Sequence, residues 1–251
     1  MKHYLDHFEI IRVDETDSTN NAIRNHEHSP GKEFLVISAE YQTGGKGQRG
    51  NSWESARGKN LLFSLSCHPT FLHAQQQFLL SQIISLSVLD VFRHYIRRFS
   101  IKWPNDIYWR DKKIGGILIE NDLSGTHIAR SIIGVGLNIN QTEFKGGAPN
   151  PVSLLQVCGI HCKRKHVLER ILKHFESYYR MLERGEVETI REHYRKALFR
   201  RVAYGKVGGY RDADGVFNAR LHHVEDSGLI ILEDTEGRLR PYAFKEVEFV
   251  L

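Results

Sequence analysis

The stretch Gly45-Lys46-Gly47-Gln48-Arg49-Gly50-Asn51 limits the possible folds more than any other part of the chain. It sets three glycines within six residues, so the backbone can turn sharply and come close to an anion, while Lys46 and Arg49 supply cationic donors. It follows an apolar run, Phe34 to Ala39, and so spells the G-x-G-x-x-G of a dinucleotide-binding turn. Such a turn must open an amphipathic helix, yet residues 51 to 58 (NSWESARG) carry no helical apolar period, which rejects that fold. A P-loop is rejected too: its lysine follows the last glycine and precedes Ser or Thr, whereas Lys46 lies between two glycines. A kinase-type loop would need His-Arg-Asp and Asp-Phe-Gly downstream, and neither occurs. What remains is a basic glycine loop, either a solvated connector or a phosphate-handling flap.

The flanking pattern is mixed α and β. Ile10 to Val13 reads as a short strand, and Asp17-Ser18-Thr19-Asn20-Asn21 offers N-caps to a helix running toward Asn25. Ser18 and Thr19 either cap that helix or face a polar ligand. Phe34 to Tyr41 reads as a buried strand feeding the loop. Leu61, Phe63, Leu65 and Cys67 alternate with mostly polar residues, which predicts a strand with one buried face. Phe78, Leu80, Ile83, Ile84, Val91, Phe92 and Tyr95 predict a long core helix.

Ile107 to Trp109 and Ile114 to Glu120 predict a hairpin around Arg110-Asp111-Lys112, with Lys113 at its hinge and Gly115-Gly116 leaving room for a close approach. Ser131 to Asn140 is a third strand-like run, in which Gly134 and Gly136 mark a pocket floor or a bulge. Phe144 to Pro151 is a loop. Two helices follow, one placing Leu168, Ile171, Leu172, Phe175, Tyr179 and Leu182 on one face, the other carrying Val187, Ile190, Tyr194 and Leu198. From about Arg200 short strands alternate with turn signals at Gly208-Gly209, Asp214-Gly215, Asp226-Ser227-Gly228 and Glu236-Gly237, which predicts a small β module. The fold class is therefore α+β, a mixed or antiparallel sheet with packed helices, divided into residues 1–199 and 200–251.

Length and charge set further bounds. A chain of 251 residues can bury one sizeable core and carry a small second module. No run is apolar enough to span a bilayer, and Met1 to Glu9 lacks a signal-peptide core, so a cytoplasmic protein away from membranes is expected. Three cysteines do not make a disulfide framework. Cys158 and Cys162, with His161 and His166, are at most half a zinc site. His222-His223 should point to opposite faces of a strand. The net charge of +5 is interleaved with acids and favours anionic small molecules over nucleic acid.

A second informative segment, Lys102-Trp103-Pro104-Asn105-Asp106, joins a cation, an aromatic, a proline and a carboxylate where a plain turn would need only the last three positions. Taken in order with Asp17-Ser18-Thr19-Asn20, Glu40-Tyr41-Gln42, the glycine loop with Trp53, Lys113-Ile114-Gly115-Gly116-Ile117-Leu118 and Gly134-Val135-Gly136-Leu137-Asn138, it resembles the biotin protein ligases over most of the chain. The match is to the short form, because the chain begins too close to Ser18 to hold the helix-turn-helix of members that double as repressors; no DNA binding by that route is expected. Lys46 and Gln48 stand where arginine is frequent in the family, and lysine keeps the charge without the bidentate fork.

The resemblance implies a class II synthetase-like catalytic domain, an SH3-like β-barrel at the C-terminus, and a two-step reaction. Biotin and ATP give biotinyl-adenylate, and a lysine of a biotin carrier domain then takes the acyl group. By position match it implies Ser18, Thr19, Gln42, Gly45, Lys46 and Gly116 around biotin. Around ATP it implies the loop residues Gly45, Lys46, Gly47, Gln48, Arg49 and Asn51, together with Trp53, Lys102, Asn105, Lys113 and Asn138. Catalytic roles fall to Lys113, bridging carboxylate and α-phosphate, to Asp106 as acceptor of the incoming lysine's proton, and to Lys46 and Arg49. ATP implies Mg²⁺ without a dedicated protein metal cage, and homodimers occur in the family. Two other readings are a lipoate or octanoate ligase, against which the Lys102 to Asp106 segment and the β module argue, and a non-catalytic nucleic-acid or partner-binding module, against which the absence of a basic stripe argues.

Overall fold

Residues 5–146, 150–199 and 207–250 are described by the computed structural model, apart from the side chain of Arg49. Seven strands, β1 (Phe8–Thr16), β2 (Phe34–Gln42), β3 (Leu61–Cys67), β4 (Phe99–Lys102), β5 (Asp106–Trp109), β6 (Lys112–Ser124) and β7 (His127–Leu137), form one sheet in the order β1-β2-β3-β7-β6-β5-β4. β1 and β2 are parallel and the other pairs antiparallel, so the sheet is mixed. Helices α2 (Phe78–Phe92), α4 (Arg164–Glu183) and α5 (Val187–Ala197) pack on one face and on each other, enclosing the main core. The short α1 (Thr19–Arg24) lies on the opposite face against β2, β3 and β7, where Ile23, Leu35, Ile37 and Ile132 form a second small core.

This two-sided cover corrects one expectation. β3 is buried along its whole length, not on one face, because it is central and has helices on both sides. Its serines are polar without being exposed: Ser64 sits under α1 and lies 2.6 Å from Asn20 Oδ1. Buried hydroxyls survive there because each finds a partner. In α2 all residues but Asp90 are buried, since the helix is held between the sheet and α4 and α5. A further helix, α3 (Leu154–Cys158), was not expected from the sequence, although Ser153 and Gln156 form a capping box and Gly159 ends it at φ 73°. No helix among the described residues is long and apolar enough to cross a membrane.

The C-terminal strands β8 (Gly208–Asp212), β9 (Gly215–Val224), β10 (Ile230–Asp234), β11 (Leu239–Tyr242) and β12 (Glu248–Phe249) form an antiparallel sheet ordered β11-β10-β9-β8-β12. The division expected at 199/200 falls at residues 200–206, outside the described residues, as do residues 147–149 of the loop Phe144 to Pro151. Gly208-Gly209 is not a turn; it lies inside β8, where Val250 N donates to Gly209 O at 3.0 Å and packs over the missing side chain. Nor do His222 and His223 point apart. Leu221 pairs with Leu232 and His223 with Ile231, so His222 is an extra, bulged residue, and the two Nδ1 atoms come within 2.7 Å.

This sheet is tied to the rest of the chain at a few points. Trp103 Nε1 donates to Gly228 O at 3.0 Å, Phe78 N donates to Asp226 O at 3.2 Å, and Arg191 Nε donates to Asp226 Oδ1 at 2.9 Å. A Trp103→Phe change keeps the buried ring but orphans that carbonyl, so urea denaturation should show a loss of about 1–3 kcal/mol. An unchanged midpoint would mean that the bond holds nothing together.

Candidate active site

At the start of α1 the chain builds a polar wall inside the protein. Hydrogen bonds from the Asn21 side chain and from Ser18 N hold the Asp17 carboxyl below the usual carboxylate range. Ser18 is the N-cap, yet its hydroxyl makes no cap bond and lines a cavity instead. The capping work passes to Gln42, whose Oε1 accepts Thr19 N at 2.8 Å and Thr19 Oγ1 at 3.0 Å. Asn20 Nδ2 donates to Glu120 Oε2 at 2.8 Å. These bonds fix Thr19, Asn20 and Gln42 in one arrangement.

The floor is made of glycines. Gly116 pairs with Gly136, and Gly134 pairs with Ser64 and Leu118, without a bulge at these positions. A Cβ at Gly134 would stand 2.2 Å from Asn20 Oδ1, and one at Gly136 would stand 2.6 Å from Trp53 Cε2. The glycines therefore let α1 and the Trp53 indole lie directly on the sheet.

The glycine loop forms the roof. Trp53 N donates to Gly45 O at 2.8 Å, Gly47 N donates to Asn51 O at 2.6 Å, and Lys46 bridges to Ser52. The tip, Gln48–Gly50, turns at Gly50 with φ 85°, a conformation that a side chain would strain. Lys46 Nζ donates to Asn21 Oδ1 at 2.8 Å and latches the roof to α1. Lys46, Gly47, Gln48, Asn51 and Trp53 line the cavity, whereas Gly45 does not. The Arg49 side chain lies outside the described residues.

Lys113 enters from the β5–β6 hairpin. It is paired with Tyr108, and its backbone is also pinned from the far side, N donating to Asn150 O and O accepting from Val152 N, each at 2.9 Å. Its Nζ lies 2.7 Å from Asp106 Oδ1 and 5.8 Å from the Trp53 ring centroid. Asp106 opposes both Lys102 and Gly116. Asn105 secures the turn before it, Nδ2 donating to Ile117 O at 2.6 Å. Lys102 Nζ sits 3.3 Å from Tyr108 OH, and burial pushes that phenol up to about 12, so it stays neutral.

Asn138 departs from the sequence expectation. β7 ends at Leu137, and the Asn138 carboxamide turns away from the cavity to donate to Val152 O at 3.2 Å while its backbone N donates to Ile114 O at 2.8 Å. It braces the segment on either side of Lys113 and does not line the cavity. A whole side went unanticipated: Phe244, Lys245, Val247, Glu248 and Phe249 of the C-terminal sheet close it. The space enclosed is about 560 Å³. Four lysines (Lys46, Lys102, Lys113, Lys245) and two carboxylates (Asp106, Glu248) line it, a balance that suits a ligand bearing carboxylate or phosphate.

No group of three or more His, Cys, Asp or Glu residues placed to hold a metal occurs among the described residues. Cys158 and Cys162 both direct their sulfurs at Ile160 O, at 3.7 and 3.4 Å.

Residues 11–138 match the biotin/lipoate A/B protein ligase family. The chain is 29% identical over 244 residues to the bifunctional ligase/repressor BirA of Bacillus subtilis, covering 93% of this chain and 72% of that protein. It is 27% identical over 234 residues to a biotin–[acetyl-CoA-carboxylase] ligase of Paracoccus denitrificans, covering 89% and 93%. The biotin protein ligase of Aquifex aeolicus, solved in complex with biotin and ATP, superposes with a TM-score of 0.77 at 25% identity, covering 96% of this chain and 99% of that one.

Proposed function

The chain belongs to the biotin/lipoate A/B protein ligase family, and on that premise we infer that it is an ATP-dependent biotin protein ligase. It activates biotin as biotinyl-5′-adenylate and passes the acyl group to a lysine of a carboxylase's biotin carrier domain. The observation that carries the assignment of the chemistry to this cavity is the Lys113–Asp106 pair at 2.7 Å, set beneath the glycine loop. The match of the named biotin ligases over most of the chain favours biotin over lipoate or octanoate.

In the first step a carboxylate oxygen of biotin attacks the α-phosphorus of ATP, the bond to the bridging oxygen breaks, and pyrophosphate leaves. Two anions must approach each other, and Lys113 offsets their repulsion from a backbone fixed on both sides. Lys46 closes the roof over the product, a mixed anhydride that water would cleave. Ser18, Thr19 and Gln42 hold the polar end of biotin over the glycine floor, and Lys102, Asn105 and Trp53 position the nucleotide. In the second step Asp106 takes a proton from the incoming ammonium, the amine nitrogen attacks the acyl carbon, and AMP departs as the remaining proton passes to water. Mg²⁺ favours oxygen donors and would be held chiefly by the phosphates of ATP, whose charge it would neutralise, with Glu248 as the lining carboxylate left to it because Asp106 is engaged by Lys113.

The test is biotin-dependent exchange of pyrophosphate into ATP, and no exchange by folded protein would overturn the assignment. With Ser18→Ala the KM for biotin should rise about tenfold at nearly constant kcat, the signature of one lost ground-state hydrogen bond. An unchanged KM would move biotin's polar end elsewhere.

A further inference from the structure

Two amide oxygens, Gln48 Oε1 and Asn121 Oδ1, are buried without a hydrogen-bond partner among the described residues, and both side chains line a second, smaller cavity of about 280 Å³. It lies between the tip of the glycine loop, the start of α2 and the edge of β6, just beyond Gly116, where β5 begins at Asp106. Gln48, Pro104, Asn105, Ile117 and Phe244 belong to its wall and to that of the main cavity, so the two adjoin immediately before Asp106.

The chemistry of the lining is specific. Asn121 spends its Nδ2 on Gln77 Oε1 at 3.1 Å, which leaves its oxygen as the group on offer. Phe78 N and Leu80 N, at the start of α2, are already given to Asp226 O and Gln77 O. No charged side chain lines the cavity, and Phe78, Ile117, Ile119 and Phe244 supply apolar wall. Buried oxygens without donors call for a donor, and apolar walls around them suit a long aliphatic stem with a cationic tip. A carboxylate here would lock an ammonium in place, whereas neutral oxygens guide it while the surroundings lower its pKa toward the amine needed for attack.

We propose that this cavity is the channel by which the carrier domain's acceptor lysine reaches Asp106, with Gln48 and Asn121 receiving its ammonium on the way. The proposal rests on the ligase reading given above. No bond changes in the channel; the ammonium surrenders its proton only at Asp106, before the acyl transfer already described.

The test separates the two half-reactions. In the full chain, Asn121→Leu should lower kcat/KM for transfer to the apo carrier domain of a biotin-dependent carboxylase by about tenfold. It should leave biotin-dependent pyrophosphate exchange within about twofold. Cleavage of the enzyme's adenylate by hydroxylamine, a small neutral nucleophile, should also be unchanged. Ile119→Trp, which fills the cavity, should give the same pattern more strongly, and Asn121→Asp, whose carboxylate would lock the ammonium on its way, should also lower transfer while leaving exchange unchanged. Transfer unchanged in both Asn121→Leu and Ile119→Trp would overturn the channel and leave an ordered water between the two oxygens. Exchange falling in parallel with transfer would overturn it as well, by making the residues structural. Absence of exchange in the unaltered protein would instead remove the ligase reading, and the channel with it.

Discussion

Replacing Lys113 with alanine is expected to slow biotin-dependent pyrophosphate exchange by about 10²–10³-fold, the usual cost of deleting one fixed donor aimed at developing charge. The fold should survive, because β6 is held at this point by backbone bonds to Asn150 and Val152 and not by the side chain. Asp106 would lose its ion-pair partner, and ATP would meet a carboxylate stripped of the ammonium that sits 2.7 Å from it. Lys113→Arg should restore only part of the rate, since a planar fork does not replace a compact ammonium seated between Asp106 and the Trp53 ring. Full exchange by the alanine variant, with an unaltered thermal transition, would remove Lys113 from the chemistry.

The second large effect is expected in the floor. Gly134→Val places a Cβ 2.2 Å from Asn20 Oδ1, in the middle of a sheet with Ser64 on one side and Leu118 on the other. The group met is the Asn20 carboxamide, held in place by Ser64 and Glu120, so it must swing away or α1 must shift, and its contacts with Ser64 and Glu120 must break. Overpacking and orphaned polar groups together should cost about 3 kcal/mol, which in a chain of this size lowers Tm by roughly 10 °C. Calorimetry on the Gly134→Ala and Gly134→Val pair checks this. A Tm within about 2 °C of the parent for both would show that the floor tolerates side chains.

Much of this site was legible in the sequence because its parts are local. The glycine loop, the Lys102 to Asp106 segment and the Lys113 hairpin each carry their residue types within a few positions, and the structure brings Ser18, Gln42, Trp53, Asp106, Lys113 and Gly116 to one cavity. Gly134 and Gly136 were readable as a floor since a glycine inside a strand needs a close neighbour to justify it. What escaped was non-local. The wall from Phe244 to Phe249 exists only because the C-terminal sheet docks through Trp103 and Asp226, and no pattern within that stretch signals it. β3 looked half exposed because alternation reports polarity, and its serines are polar yet satisfied under α1. A bulge beside His222 reset the alternation that should have separated the two histidines.

The cavity is lined both by Ser18, at the start of the chain's first helix, and by Phe244 to Phe249, almost at the end of the chain. During translation, therefore, a nascent polypeptide can have folded its seven-stranded sheet and still possess an open trough. Premature termination anywhere before Phe244 would leave that trough unwalled, so a truncated product would squander ATP on an anhydride exposed to water.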